Sequence, residues 1–162
     1  DTFDLVAVGG WRGSGRKRRW ISPILVAAVD PEEGTFHSVC RVMSGFSDAF
    51  YRQFTVATLG AELGDDAATT PTTKKPGDVD TPEDCRFWFD RQRRVVFEIK
   101  AADVTLSPTH TAARGLVADD DQRGLSLRFP RFIKLRSDKA TVDASTTLDL
   151  ADAYRRQRVA AP

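Results

Sequence analysis

Ser126-Leu127-Arg128-Phe129-Pro130-Arg131-Phe132-Ile133-Lys134-Leu135-Arg136-Ser137-Asp138-Lys139 alternates as a β-strand does. Leu125, Leu127, Phe129, Ile133 and Leu135 fall on odd positions, and polar residues fill most of the even ones. One face is therefore expected to be apolar. The other carries Arg128, Lys134 and Arg136, with Arg131 on the odd register and Lys139 beyond. Pro130 has no N–H to give to a ladder, so the strand is expected at a sheet edge or bulged there. An edge strand with an apolar back and a cationic front can line a phosphate-holding groove. Arg128, Arg131 and Arg136 offer bidentate contacts to phosphate. The plainer alternative is an edge protected by charge against aggregation, for which fewer cations suffice.

Upstream, the pattern supplies four more strands. Phe3–Val8 is short and apolar. Trp20–Asp30 is β-branched and apolar on both faces, as a central strand is. Asp30-Pro31-Glu32-Glu33-Gly34 is a turn, and Thr35–Met43 returns to complete a hairpin. Val95–Ala102 alternates as the fourth strand, and Ser107-Pro108 ends it. Gly45-Phe46-Ser47 fits a strand-to-helix turn. Ser47 is the N-cap there, and Phe46, Phe50, Phe54 and Leu59 form an apolar stripe on a short helix. Residues 64–81 lack periodicity and form a surface loop. Phe87-Trp88-Phe89 is aromatic enough to be anchored in the core or on a partner domain. Downstream, Ser145–Arg158 is expected as a C-terminal helix, with Leu148, Ala151 and Tyr154 on one face and arginines at its end.

The fold class that follows is mainly β. It is a five-stranded Greek-key barrel of the oligonucleotide-binding (OB) type, with a short helix between strands and a C-terminal helix. Another small all-β sheet fits the pattern too. The expected division is 1–140 for the OB-fold domain and 141–162 for the C-terminal helix and tail.

With 162 residues, 41% of them hydrophobic, the chain holds one domain with enough apolar material for a core. The net charge of +1 points to no class of partner, but its distribution does. Arg12, Arg16, Lys17, Arg18 and Arg19 form one basic cluster, and Arg123 to Lys139 another. Acids gather at 30–33, 62–66, 78–84 and 119–121. Gly9, Gly10, Gly13 and Gly15 thread the first cluster, so its backbone can approach a ligand and its cations suit phosphodiester oxygens. A solvated hairpin loop is the alternative. The spacing does not fit a nucleotide-binding P-loop, whose last Gly precedes Lys and then Ser or Thr.

Glu98, Lys100 and Asp103 look like an acid–base set, but alternation makes Glu98 and Lys100 members of a cross-strand ion-pairing face. His37 and His110 are isolated, and neither is expected to be catalytic. Cys40 and Cys85 lie far apart and no Cys-x-x-Cys occurs. No disulfide framework or metal site is expected, and reduced thiols in an intracellular protein fit. The sequence shows no signal peptide and no apolar run of membrane length. An abrupt start at Asp1, in a strand pattern, is what an excised domain would show.

Ser126–Phe132 followed by Arg136-Ser137-Asp138-Lys139 resembles the last motif of ATP-dependent DNA ligases of the eukaryotic replicative (ligase I) type. Five further stretches agree with that family in the same order: Asp1–Val6, Gly9–Arg19, Val39–Asp48, Glu98–Pro108 and Ala112–Val117. The likeness covers nearly the whole chain, apart from 65–84, where an insertion has no family counterpart. Arg41, Lys134 and Phe97 stand where the family commonly has Lys, Arg and Trp, changes that keep charge or bulk.

The resemblance implies the OB barrel. It implies that Arg136 and Lys139 engage the β- and γ-phosphates of ATP during enzyme adenylylation, with Asp138 orienting that pair. Arg128 and Phe129 would contact DNA, the ring in the minor groove beside the nick, although alternation puts Phe129 on the core face. Lys100 would contact the DNA backbone, and Arg114 DNA or a neighbouring domain. Arg12, Arg16, Lys17, Arg18, Arg19, Arg131 and Lys134 complete the expected DNA-binding set.

The family's Lys-x-Asp-Gly nucleophile motif and metal-binding carboxylates are missing from this sequence. The domain is therefore expected to be inactive alone, with ATP and Mg2+ belonging to the whole enzyme. Expected partners are nicked double-stranded DNA and the nucleotidyltransferase and DNA-binding domains of the same polypeptide, with no membrane. Replication and repair in the nucleus, or in an organellar form, is the implied setting. Two rivals stand beside this. One is a stand-alone single-strand-binding module that stacks bases on Trp11, Trp20 and Trp88. The other is the OB domain of an RNA ligase or mRNA-capping guanylyltransferase.

Overall fold

In chain order the strands are β1 (Thr2–Arg12), β2 (Ile21–Asp30), β3 (Thr35–Val42), β4 (Val79–Asp80), β5 (Phe87–Trp88), β6 (Val96–Lys100), β7 (Asp103–Ser107), β8 (Gly124–Arg128) and β9 (Arg131–Leu135). Helix α1 (Asp48–Leu59) follows β3, and α2 (Thr147–Ala160) follows β9. This computed structural model describes residues 1–65, 73–117 and 123–160. Residues 66–72 of the 65–84 insertion and the acids at 119–121 lie outside the described residues.

Everything assembles on β1. β2 runs antiparallel along one edge and pairs in turn with β3, as the expected hairpin. The other edge is shared, with β6 on Thr2–Val6 and β5 on Gly9 and Gly10. Gly9 and Gly10, expected in an open loop, are thus strand residues. A Cβ on Gly9 would stand 2.8 Å from the Phe87 carbonyl, and one on Gly10 would strike Ile21. Their bare backbone serves strand packing rather than ligand approach.

Both faces of β1 and β2 are buried. Phe3, Leu5, Ile24, Val26, Phe97 and Ile99 meet Phe54 of α1 and Leu150 of α2 in the main core. Val6, Val8, Leu25 and Ala27 face the other way, under Phe36, Val79, Cys85 and Trp88. The 73–90 segment therefore builds a second apolar layer, and Phe87, Trp88 and Phe89 are anchored in the core as expected. Arg94, its side chain 1% exposed, fastens that layer by donating to both oxygens of Asp78 at 2.6 and 2.9 Å.

Ser47 caps α1 by accepting the Phe50 N–H at 3.1 Å, and Gly60 ends it in the left-handed conformation. Its inner face is wider than an aromatic stripe: Tyr51, Phe54, Thr55 and Thr58 are buried, and Phe46, Phe50 and Leu59 are half-buried. Helix α2 starts at Thr147 rather than Ser145 because Thr146 and Asp149 exchange capping hydrogen bonds of 2.8 and 3.1 Å. Leu150 is buried with Ala151 and Tyr154, and Leu148, expected on the same face as those two, is exposed.

The fourth and fifth expected strands are each broken in two. β6 gives way to β7 at Ala101–Ala102, and β8 to β9 at Phe129–Pro130. The Ala102 N–H donates to the Arg128 carbonyl at 2.9 Å, so the two breaks lie side by side. One bent hairpin thereby leaves the seven-stranded sheet, ordered β4-β3-β2-β1-β6-β9 with β5 also on β1, and becomes the two-stranded sheet β7-β8. No ladder joins the two sheets into a closed barrel among the described residues. Instead, Ser126 Oγ on β8 donates to the Val39 carbonyl on β3 at 2.6 Å. The domain is mainly β and OB-like, with α1 between strands and α2 at the end.

Alternation fails across the second break. Leu125 and Leu127 are buried as expected, but Phe129 has φ of 52° and is 73% exposed. Beyond Pro130 the buried position is even-numbered Phe132, while Ile133 and Leu135 are 42% and 41% exposed. A one-residue shift exchanges the two faces of a strand, and the left-handed turn at Phe129 makes that shift.

Candidate nucleic-acid and phosphate interface

Residues directly opposite one another across an antiparallel ladder share a face. On β1, β6 and β9 this rule builds two rows: Thr2–Lys100–Arg131 and Asp4–Glu98–Lys134. Parity in the sequence separates Arg131 from Lys134. The ladder reunites them, because Phe132 pairs with Ile99 and Lys134 with Glu98, which leaves Ile133 as a bulge. The Arg136 N–H then donates to the Val96 carbonyl at 2.8 Å, placing Arg136 next along the same face. Lys100, Arg131 and Lys134 are exposed.

At the end of this face Arg136 is the centre of an ion-pair network. Its Nε and Nη2 donate to the two oxygens of Asp138 at 2.9 Å each. Nη1 donates to Asp4 at 3.2 and 3.3 Å and lies 3.7 Å from Glu98. Lys139 Nζ donates to the same Asp4 at 2.8 Å. The hydrogen bonds to Asp138 raise the affinity of Arg136 for its proton, and Asp4 and Glu98 add to this. In return, the Arg136 hydrogen bonds hold the Asp138 carboxyl down at about 2. The expected Arg136, Asp138 and Lys139 set is thus assembled as one unit. Asp4 was not anticipated; its only signal in sequence is that it is the charged residue in the apolar run Phe3–Val8.

Arg128 and Phe129 stand at the bend beside this face. Arg128 Nε donates to Asp103 at 2.9 Å, its guanidinium lying 5.1 Å from the Phe129 ring centre. Asp103 meets Arg128 across the β7–β8 ladder, and of Glu98 and Lys100, expected on one ion-pairing face, Glu98 has Arg136 at 3.7 Å. β9 is seated on the turn before α1. The Phe132 N–H donates to the Ser44 carbonyl at 2.9 Å, and a side chain on Gly45 (φ 96°) would strike the Phe132 backbone.

The basic loop is arranged differently. Arg12 Nη1 donates to the carbonyls of Arg18 and Gly64 at 2.6 and 2.7 Å. Arg16 pairs with Asp48, and Lys17 lies over the Tyr51 ring at 5.0 Å. Arg19 donates through two nitrogens to Asp65 at 3.0 Å, and Arg18 approaches the same carboxylate at 3.4 Å. The Arg19 hydrogen bonds pull the Asp65 carboxyl below its ordinary range. All five cations of the loop thus have partners within the domain. Arg114 lies apart from both clusters. It is exposed in the turn after β7, beside a cavity of about 280 Å³ that Asp30, His37 and Asp80 also line.

The remaining groups are structural. His110 is buried against Ser38 at 2.9 Å, and burial lowers its affinity for a proton. Burial raises the thiols of Cys40, to about 12, and Cys85, so neither is a ready nucleophile. Among the described residues, no group of three or more His, Cys, Asp or Glu is placed to hold a metal ion. Asp4, Glu98 and Asp138 each face a cation.

The family model for the ATP dependent DNA ligase C terminal region matches residues 17–139. DNA ligase 3 of Schizosaccharomyces pombe is 46% identical over 159 residues, covering 97% of this chain and 19% of that protein. DNA ligase 6 of Arabidopsis thaliana is 45% identical over 157 residues, covering 97% of this chain and 10% of that protein. A DNA ligase of Hyperthermus butylicus is 40% identical over 157 residues, covering 97% and 24%. The chain therefore spans between a tenth and a quarter of the length of these relatives. With a family model matching residues 17–139, most of its length, the chain belongs to the C-terminal region family of ATP-dependent DNA ligases.

Proposed function

We propose that this domain grips phosphate and nicked duplex DNA for an ATP-dependent DNA ligase of the eukaryotic replicative (ligase I) type. The observation that carries the proposal is the Arg136–Asp138–Lys139 unit at the end of the exposed cationic face of Lys100, Arg131 and Lys134. The type is proposed on the Ser126–Phe132 and Arg136–Lys139 motifs.

Joining a nick by this chemistry begins with transfer of AMP from ATP to a lysine, which releases pyrophosphate and needs charge neutralisation more than covalent help. Arg136 and Lys139 supply two positive charges for the β- and γ-phosphate oxygens. Asp138 fixes the guanidinium plane through its fork-to-fork pair, so that little ordering remains to be done on binding. Mg2+ and ATP belong to the whole enzyme, and Asp4, Glu98 and Asp138 at this site each face a cation. In the later steps Lys100, Arg128, Arg131 and Lys134 contact the DNA backbone, and Phe129 enters the minor groove beside the nick. Arg114 and the Arg12–Arg19 loop serve as outlying contacts. The nucleotidyltransferase and DNA-binding domains of the same polypeptide complete the enzyme, in nuclear or organellar replication and repair. Imaging a fluorescent fusion of the full polypeptide reads out the location.

A single-strand-binding module is disfavoured by its own aromatics. Trp20 and Trp88 are buried, and Arg41 covers the ring of Trp11 at 4.1 Å, so these three rings offer no stacking platform.

In the full polypeptide, Arg136→Ala is expected to slow formation of the enzyme–AMP adduct by about a hundredfold. Sealing of DNA that is already adenylated should suffer much less. Equal loss in both steps would defeat the assigned role.

A further inference from the structure

Asp4 is held in place from both sides. Its N–H donates to Ser145 Oγ at 2.9 Å, and its carbonyl accepts the Ser145 N–H at 2.7 Å. The carboxylate is thereby confined to the outer face of β1, directly opposite Glu98. There it takes Arg136 Nη1 on both oxygens, at 3.2 and 3.3 Å, and Lys139 Nζ on Oδ2, at 2.8 Å. One carboxylate joins the two cations assigned to phosphate.

The contacts of Arg136 are unequal. Asp138 holds Nε and Nη2 at 2.9 Å, within the ordinary range of charge-assisted bonds. The Asp4 arm is longer and split between two oxygens, which marks it as the weaker of the two. Carboxylate and phosphate present oxygen pairs of similar bite, so one can replace the other on a guanidinium. Beside the pair lies a cavity of about 390 Å³ lined by Arg91, Arg136, Ser137, Lys139 and Thr141, with Asp4 not among its walls.

We infer that Asp4 is a competing carboxylate, which keeps Arg136 and Lys139 together and yields them to a di- or triphosphate. This deepens the function proposed above, since it presupposes that Arg136 and Lys139 grip phosphate. Asp138 keeps the guanidinium oriented during the exchange, so removing Asp4 costs little order and removes a repelling charge. A departing pyrophosphate likewise leaves against a carboxylate ready to retake both cations.

The test is calorimetric titration of this chain with inorganic tripolyphosphate at fixed ionic strength, using the unaltered chain, Asp4→Asn, Arg136→Ala and the double variant. Asp4→Asn is expected to bind about fivefold tighter, from loss of one like charge near the ligand. Arg136→Ala is expected to bind more weakly, and Asp4→Asn should then add less in its background than it does alone. If Asp4→Asn binds no tighter while Arg136→Ala still weakens binding, competition is overturned and the phosphate grip stands. If Arg136→Ala changes nothing, the grip falls and the inference with it. A measurement on the unaltered chain guards against a folding defect in the variants. In nitrogen-resolved NMR of the Arg136 guanidinium, tripolyphosphate should move the Nη1 signal and leave Nε in place. Movement of Nε with Nη1 unmoved would mean that Asp138, not Asp4, is displaced.

Discussion

Phe129 combines two costs that a purely structural residue would avoid. A side chain at φ of 52° is strained by about 1–2 kcal/mol, and a ring that is 73% exposed recovers little of this by burial. Strain at an exposed aromatic beside a cationic face is what the proposed DNA contact, rather than packing, calls for. Phe129→Gly removes the strain but adds backbone freedom to the unfolded chain, so the net gain is at most about 1 kcal/mol. The melting temperature should therefore rise by no more than about 2–4 °C. Affinity for nicked duplex should fall in the same variant. A lowered melting temperature would show the ring to be structural, and unchanged affinity would remove it from the DNA surface.

Among the elements, β7 depends on a side chain from α2. One of its edges pairs with β8, and the other meets Gln157. Gln157 Oε1 accepts the Val104 N–H at 2.7 Å, and its Nε2 donates to the Val104 carbonyl at 2.9 Å. The amide thus takes both ladder positions that a neighbouring strand would offer, which covers an otherwise open edge. Gln157→Ala leaves both backbone groups without that partner and should destabilise the chain by about 1–3 kcal/mol in chemical denaturation. Gln157→Glu keeps the acceptor but loses the donor, and should fall between the two. No loss in Gln157→Ala would mean that water serves the edge equally well. α2 and the two-stranded sheet are in this sense one unit, although they belong to opposite ends of the bent hairpin.

At the scale of the whole molecule, charge is sorted by pairing. Among the described residues, Lys100, Arg131 and Lys134 face solvent outside any ion pair shorter than 4.0 Å, with Lys134 opposite Glu98 on the ladder, whereas Arg16, Arg18 and Arg19 are matched to Asp48 and Asp65. A cation that must leave a carboxylate to meet a phosphate releases fewer counterions in total, because the freed acid gathers its own. Replacing Lys100, Arg131 and Lys134 together by Ala should flatten the log–log salt dependence of nicked-duplex binding by about 2.7 units, from about 0.9 for each phosphate contact. Replacing Arg16, Arg18 and Arg19 should flatten it less. A larger effect from the loop would make the loop, and not the sheet face, the main DNA track.

What the sequence determined by itself was local. A β-branched run apolar on both faces, a turn and its return placed β2, β3 and their hairpin, Ser47 marked the start of α1, and Arg136, Asp138 and Lys139 lay close enough along the chain to form a unit. Only the tertiary structure decided the rest. It carried Asp4 to Lys139 across 135 positions, set Arg131 beside Lys134 through a bulge, turned Phe129 outward at the bend, and occupied the loop cations with acids from α1 and the segment after it. The reason is that alternation reports which face a side chain takes only while the strand is unbroken. Which charge meets which depends on the strand lying opposite, and that is a property of the sheet.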